Sequence, residues 1–108
     1  MGIQHCEPGM VVNLLHLDTR LPSETTLALV KTKQMEVIRM FLPQGKKIPV
    51  HKVSGEITVQ CIAGKITFDV ENESREMKAG DWLFLSGNQN HALDALEDSI
   101  LLVTILLS

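Results

Sequence analysis

The chain has 108 residues, of which 44% are apolar and 21% charged, with a formal net charge of −3. That length holds one domain, and that composition belongs to a folded globular chain rather than a disordered one. Basic residues gather only in small groups (Lys31 and Lys33; Lys46 and Lys47 near Lys52), and aromatics make up 4% with no tyrosine, which excludes a nucleic-acid-tracking surface with base-stacking platforms.

In chain order, residues 10–17 (MVVNLLHL) form a short apolar run rich in β-formers and are expected as a first strand. Residues 18–25 (DTRLPSET) cluster polar groups around Pro22 and read as a loop. Residues 26–32 (TLALVKT) and 34–42 (QMEVIRMFL) follow as strands, the second stopped by Pro43-Gln44-Gly45. Residues 48–53 and 56–62 are strands about a turn at Ser54-Gly55; Ala63-Gly64 turns into residues 65–70 (KITFDV), which alternate cleanly. After a polar turn at 71–74 come strands at 75–78, 82–86 and 91–96, separated by Ala79-Gly80-Asp81 and the loop 87–90. Glu97-Asp98-Ser99 turns into residues 100–107. Short strands at near-regular spacing, with no amphipathic helix, mean an all-β sandwich or barrel. The domain is expected to span 1–108, its core in about 34–107 and N-terminal strands and loop in 1–33.

The last run, ILLVTILL, departs from period two, so both its faces should be covered. One face meets the core; the other meets the N-terminal strand or another subunit, and a homodimer is expected. Eight apolar residues fall far short of the ~20 that cross a bilayer. The N-terminus lacks an apolar stretch of signal-peptide length, so a cytoplasmic protein without membrane contact is expected. Cys6 and Cys61 have neither CxxC nor metal-finger spacing, and Cys61, in an apolar strand, reads as a small buried hydrophobe.

Two segments organise the chain. Residues 45–64 (GKKIPVHKVSGEITVQCIAG) and 80–95 (GDWLFLSGNQNHALDA) each read strand, turn, strand, and each carries one histidine, His51 and His91, beside a turn. The pattern resembles the two motifs of the small single-domain cupins (type-2 cupin-like). In the first, Gly45 precedes His51 by the expected interval and Gly64 closes the motif, but Val53 stands at the second histidine position and Ile57 at the glutamate. In the second, Gly80 and His91 match, while Ser86, Asn88 and Ala95 replace proline, glycine and asparagine. The resemblance implies a double-stranded β-helix, a jelly-roll barrel. It also implies a metal site of three histidines and a glutamate, two of which are aliphatic here. Glu56 lies one residue from the expected place and so points to the other face.

The motif is therefore degenerate, and His51 with His91 falls below the three protein ligands of a catalytic zinc site. Three readings of the pair follow. The rings line a mostly apolar pocket, with Val53, Ile57, Val59 and Cys61 on the same strand parity as His51, and hydrogen-bond a small ligand. Alternatively they are structural, satisfied by backbone or water. Or they hold a divalent transition metal with help from Gln44, His16 or a shifted Glu56. The first is preferred: a non-enzymatic or weakly active small-molecule binder with a decayed metal site and no cofactor. The competing classes are a metal-dependent oxygenase or isomerase using His51 and His91, and a structural dimerisation module.

Overall fold

A computed structural model describes residues 6–16 and 24–107. Among these residues the chain forms nine strands and no helix: β1 (Leu27–Lys31), β2 (Met35–Leu42), β3 (Lys47–His51), β4 (Ile57–Ala63), β5 (Lys65–Val70), β6 (Glu73–Lys78), β7 (Trp82–Leu85), β8 (His91–Ala95) and β9 (Ser99–Leu106). They build two antiparallel sheets, ordered β1-β2-β9-β4-β7 and β3-β8-β5-β6. From β2 onward, apart from the β5–β6 hairpin, the chain keeps crossing from one sheet to the other, the winding of a jelly roll, and the double-stranded β-helix expected above is what forms.

Period-two alternation decides which residues close the core. In β4 and β5 every second side chain is buried, giving Ile57, Val59 and Cys61 on one sheet and Ile66, Phe68 and Val70 on the other. Leu42, Met77, Leu85, Leu93, Ala95 and Leu101 complete the cluster. The aliphatic filling follows from a composition so poor in aromatics. Phe68 is the one aromatic ring in that cluster.

Turns at the two ends have different chemistry. Glu71 and Asn72 both take positive φ (50° and 69°), the two-residue geometry that matches the right-handed twist of the β5–β6 hairpin. At the other end β4 passes to β5 through Gly64, at φ 88°. A Cβ there would run into the Asp98 carbonyl and the Ser99 side chain. Ser99, fully buried, accepts from Lys65 N at 3.0 Å and donates to Glu97 O at 2.8 Å, which fixes the entry to β9.

The expected first strand does not form over its described residues, 10–16. The Asn13 side chain accepts from Leu15 N (2.9 Å) and His16 N (3.2 Å), so the local turn wins over a ladder. The carbonyls of Leu14 and Leu15 turn instead to Arg39, as does that of Thr25. Arg39 is wholly buried beneath this segment on the outer side of the five-stranded sheet, and burial, opposed by Glu24, lowers its pKa. Leu17 and residues 18–23 of the loop expected over 18–25 lie outside the described residues. No helix of the described residues is long and apolar enough to cross a membrane.

Candidate functional site: a histidine pair at one end of the barrel

The ends of β3, β7 and β9 and the starts of β4 and β8 meet at one end of the barrel. The segments 52–56 and 86–90 close over it. Asn88 N donates to Val53 O at 2.7 Å, and Gly87 passes so near the Ser54 carbonyl that a Cβ would collide with it. Asn88 itself takes φ 64°. These contacts hold the two histidine-bearing strands in register.

His51 and His91 are cross-strand partners, reached through a slip in the β3–β8 ladder after Ile48. The slip lets His51 share the inward side with His91. Their ring centroids are 4.2 Å apart at a tilt of 58°, and the opposite side of His91 stacks on Phe68 at 5.8 Å and 7°. His91 is only 7% exposed, whereas His51 is exposed.

Both imidazoles are tied in the same way. Nδ1 of His51 meets Pro49 O at 3.0 Å, and Nδ1 of His91 meets Gln89 O at 3.0 Å. A carbonyl oxygen brings no proton, so each Nδ1 must carry the hydrogen and, in the neutral ring, each Nε2 carries the lone pair. Burial pushes the His91 pKa below its ordinary value; the Gln89 carbonyl opposes this and His51 adds to it. His91 thus resists protonation and presents its Nε2 as a hydrogen-bond acceptor.

A cavity of about 310 Å³ opens beside the pair, along the outer flank of the four-stranded sheet. It is lined by Val50, Asp69, Glu71, Asn72, Ser74, Asn90, His91 and Ala92. Its walls come from one cross-strand row, since Asp69 is the partner of both Ser74 and Ala92. The Glu71 carboxylate is oriented by a 3.0 Å bond from Asn90 N.

Of the six residues singled out from sequence, the structure brings His51 and His91 into ring contact, and His91 alone reaches this cavity. Val53 is half-buried and packs against the core. Ile57, Val59 and Cys61 lie within the core, at 5%, 3% and 0% exposure. Both cysteines are free. Burial, then Asp81, pushes the Cys61 thiol up in pKa, while its contact with Ala63 O pulls the other way, so it behaves as the small hydrophobe expected. Phe68, Gln89, Asp69 and Glu71 were not singled out from sequence. The alternating KITFDV pattern marks Phe68 as inward-facing, but nothing in sequence marks the carbonyl ties.

A metal ion of the kind the resemblance implies does not fit these residues. Among the described residues no three His, Cys, Asp or Glu side chains group so as to hold one. Gln44, at the opposite end of β3, spends its backbone N–H on Asp98. His16 belongs to the segment over the outer side of the other sheet, and Glu56 is exposed.

The cupin domain family matches residues 38–106. Among solved structures, a conserved protein of unknown function from Streptococcus pyogenes superposes with a TM-score of 0.78 at 21% identity, covering 98% of this chain and 94% of that one. A cupin superfamily protein from Desulfitobacterium hafniense gives 0.79 at 12% identity, covering 96% and 95%. A predicted oxalate decarboxylase from Thermotoga maritima gives 0.64 at 28% identity, covering 70% and 69%. No curated protein matches the chain at a significant level. With strand order, motif glycines and the matched span in agreement, the chain belongs to the cupin domain family.

Proposed function

We propose that this chain is a small-molecule-binding cupin that works without a resident metal, using the imidazole pair as its recognition element. The observation that carries the reading is the double tie of Nδ1 to backbone carbonyls at 3.0 Å, which leaves two Nε2 acceptors at one barrel end. An Nε2 acceptor on the buried His91, with the His51 ring beside it, suits a ligand that donates hydrogen bonds, such as an alcohol, a phenol or an amine. The neighbouring cavity reinforces that preference, because the Asp69 and Glu71 carboxylates repel anions and attract donors and cations. Its volume sits at the low end for small-ligand sites, so the occupant is of metabolite rather than polymer size. Phe68, stacked on the inner side of His91, backs the pair from the core.

The competing reading is a metal-dependent enzyme, favoured by the 28% identity to a predicted oxalate decarboxylase. It needs a further donor beside the pair. A thermal-shift screen of small polyols, phenols and amines at pH 7.5 separates the two. A ligand present at 100 times its dissociation constant stabilises by about 2.7 kcal/mol, a shift of roughly 10 °C for a domain of this size. The proposal expects such a shift from a donor-bearing ligand and its loss in His91→Phe. A screen in which divalent transition metals alone raise the melting temperature would overturn it.

A further inference from the structure

The carboxylates of the four-stranded sheet differ in what they face. Asp94 on β8 pairs with Lys47 of β3 at 3.1 Å, and Glu73 of β6 lies 3.5 Å from Arg75. Asp69 sits on β5, an inner strand, between Ser74 of β6 and Ala92 of β8, and neither neighbour carries charge. Its half-buried carboxylate makes no hydrogen bond or ion pair among the described residues. Glu71 lines the same cavity and is held by a reciprocal clasp. Its N–H donates to Asn90 O at 3.1 Å, and Asn90 N donates to one of its carboxylate oxygens at 3.0 Å, which leaves the second oxygen open. Among the described residues no lysine or arginine lines this cavity.

We propose, resting on the small-molecule reading above, that the occupant of this cavity is a cation: a small organic amine in its ammonium form. Two carboxylates with no protein cation beside them leave a local negative charge that a neutral alcohol or phenol does not offset. A primary ammonium brings a positive charge together with three N–H donors. His91 points to the same class of ligand independently of the carboxylates. It reaches this cavity while only 7% exposed, and its Nε2 has no partner among the described residues. That nitrogen accepts, because Nδ1 gives its hydrogen to Gln89 O. Burial favours the neutral ring, which does not repel a cation.

The walls favour an organic cation over a metal ion. Val50 and Ala92 offer an aliphatic side with no side-chain donor atom, against which the stem of an amine can lie. A metal ion needs its donors converged on one point, and no three His, Cys, Asp or Glu side chains of the described residues group in that way. An ammonium needs only separate charge-assisted hydrogen bonds of about 2.7–2.9 Å, and its hydrogens point in different directions. Val50 is 67% exposed, so the cavity opens to solvent and salt screens the attraction.

Titration of the isotope-labelled full chain with matched amines and alcohols, followed by amide chemical shifts near neutral pH, tests this. The pairs are n-butylamine with n-butanol, ethanolamine with ethylene glycol, and benzylamine with benzyl alcohol. The expected result is movement of the Asp69, Ser74 and Asn90 signals, with an amine bound about 10-fold or more tighter than its alcohol, as one hydrogen bond to a charged group provides. Raising sodium chloride from about 20 to about 500 mM should shrink that ratio. Asp69→Asn and Glu71→Gln should each lower amine affinity about 10-fold and leave the alcohol unchanged. Glu76→Gln, the same charge change outside the cavity, should alter neither. Amine and alcohol bound equally, both weakened in His91→Phe, overturns the inference and leaves the proposed function standing. Amine binding that needs Asp69 and Glu71 but survives His91→Phe supports the inference and counts against the imidazole as recognition element. An amine preference that survives the double variant Asp69→Asn, Glu71→Gln overturns the inference. So does the absence of any response to amines, with or without a response to calcium or magnesium chloride.

Discussion

Replacing His91 by alanine is the sharpest perturbation of the site. The substitution removes a ring that is 7% exposed, stacked on Phe68 at 5.8 Å and in contact with His51 at 4.2 Å. Ring contacts of this kind contribute roughly 0.5–1.5 kcal/mol each, and the Nδ1–H bond to Gln89 O about 1 kcal/mol. The expected loss is about 2–4 kcal/mol, or roughly 8–16 °C in melting temperature for a domain of this size. Urea unfolding at pH 8, where the ring is neutral, measures it directly. His91→Phe keeps the stack and gives up the hydrogen bond, so it should cost about 1 kcal/mol.

The same residue imposes a pH dependence whose sign is fixed. Burial holds its folded-state pKa below the ordinary 6.5. Between those two values the unfolded chain binds a proton that the folded chain refuses, so stability falls as pH drops through 6.5 and levels off below the folded pKa. The slope for one proton is at most about 1.4 kcal/mol per pH unit. His51, facing His91, adds to the lowering of the His91 pKa and so widens the pH range over which stability falls. His91→Phe should flatten this part of the profile relative to the unmodified chain. A His91→Ala loss under about 1 kcal/mol, or identical pH profiles for the unmodified chain and His91→Phe, would refute the packing argument.

Two further outcomes follow from the same geometry. Gly64→Ala must hold a positive φ and drive its Cβ into the Asp98 carbonyl and the Ser99 side chain, so calorimetry should show a loss of about 2 kcal/mol or more. A thiol reagent should label Cys6 in the native protein and Cys61 only on unfolding; rapid native labelling of Cys61 would open the core to solvent where the structure closes it.

Much of this architecture was legible in the chain. The turn residues at Pro43-Gln44-Gly45, Ala63-Gly64 and Ala79-Gly80-Asp81 set strand boundaries to within about two residues, because glycine supplies the positive φ at 45, 64 and 80. The meeting of His51 and His91 was legible from motif spacing. The failure at residues 10–16 is instructive: an apolar run signals burial, but strand formation needs a ladder partner, and Asn13 offers its neighbours a local bond instead. The asymmetry between a buried His91 and an exposed His51 follows from β3 being an edge strand while β8 lies inside the sheet, which the spacing alone does not show. The ties to Pro49 and Gln89 are backbone geometry, and the cavity forms from outward residues of β5, β6 and β8 that alternation alone marks as solvated. The run ILLVTILL led to the expectation of a covered second face; in the structure its outward side runs from buried Ile100 to exposed Leu106, beside buried Arg39 of β2.

The account turns on whether the two imidazoles work without a cation between them. Protein produced in medium supplemented with iron, zinc, manganese, nickel and copper, purified without chelator, should be assayed by plasma mass spectrometry beside its His51→Ala variant. The account predicts each metal well below one per chain, at levels the variant does not change. A transition metal near one per chain, lost in His51→Ala, would contradict it.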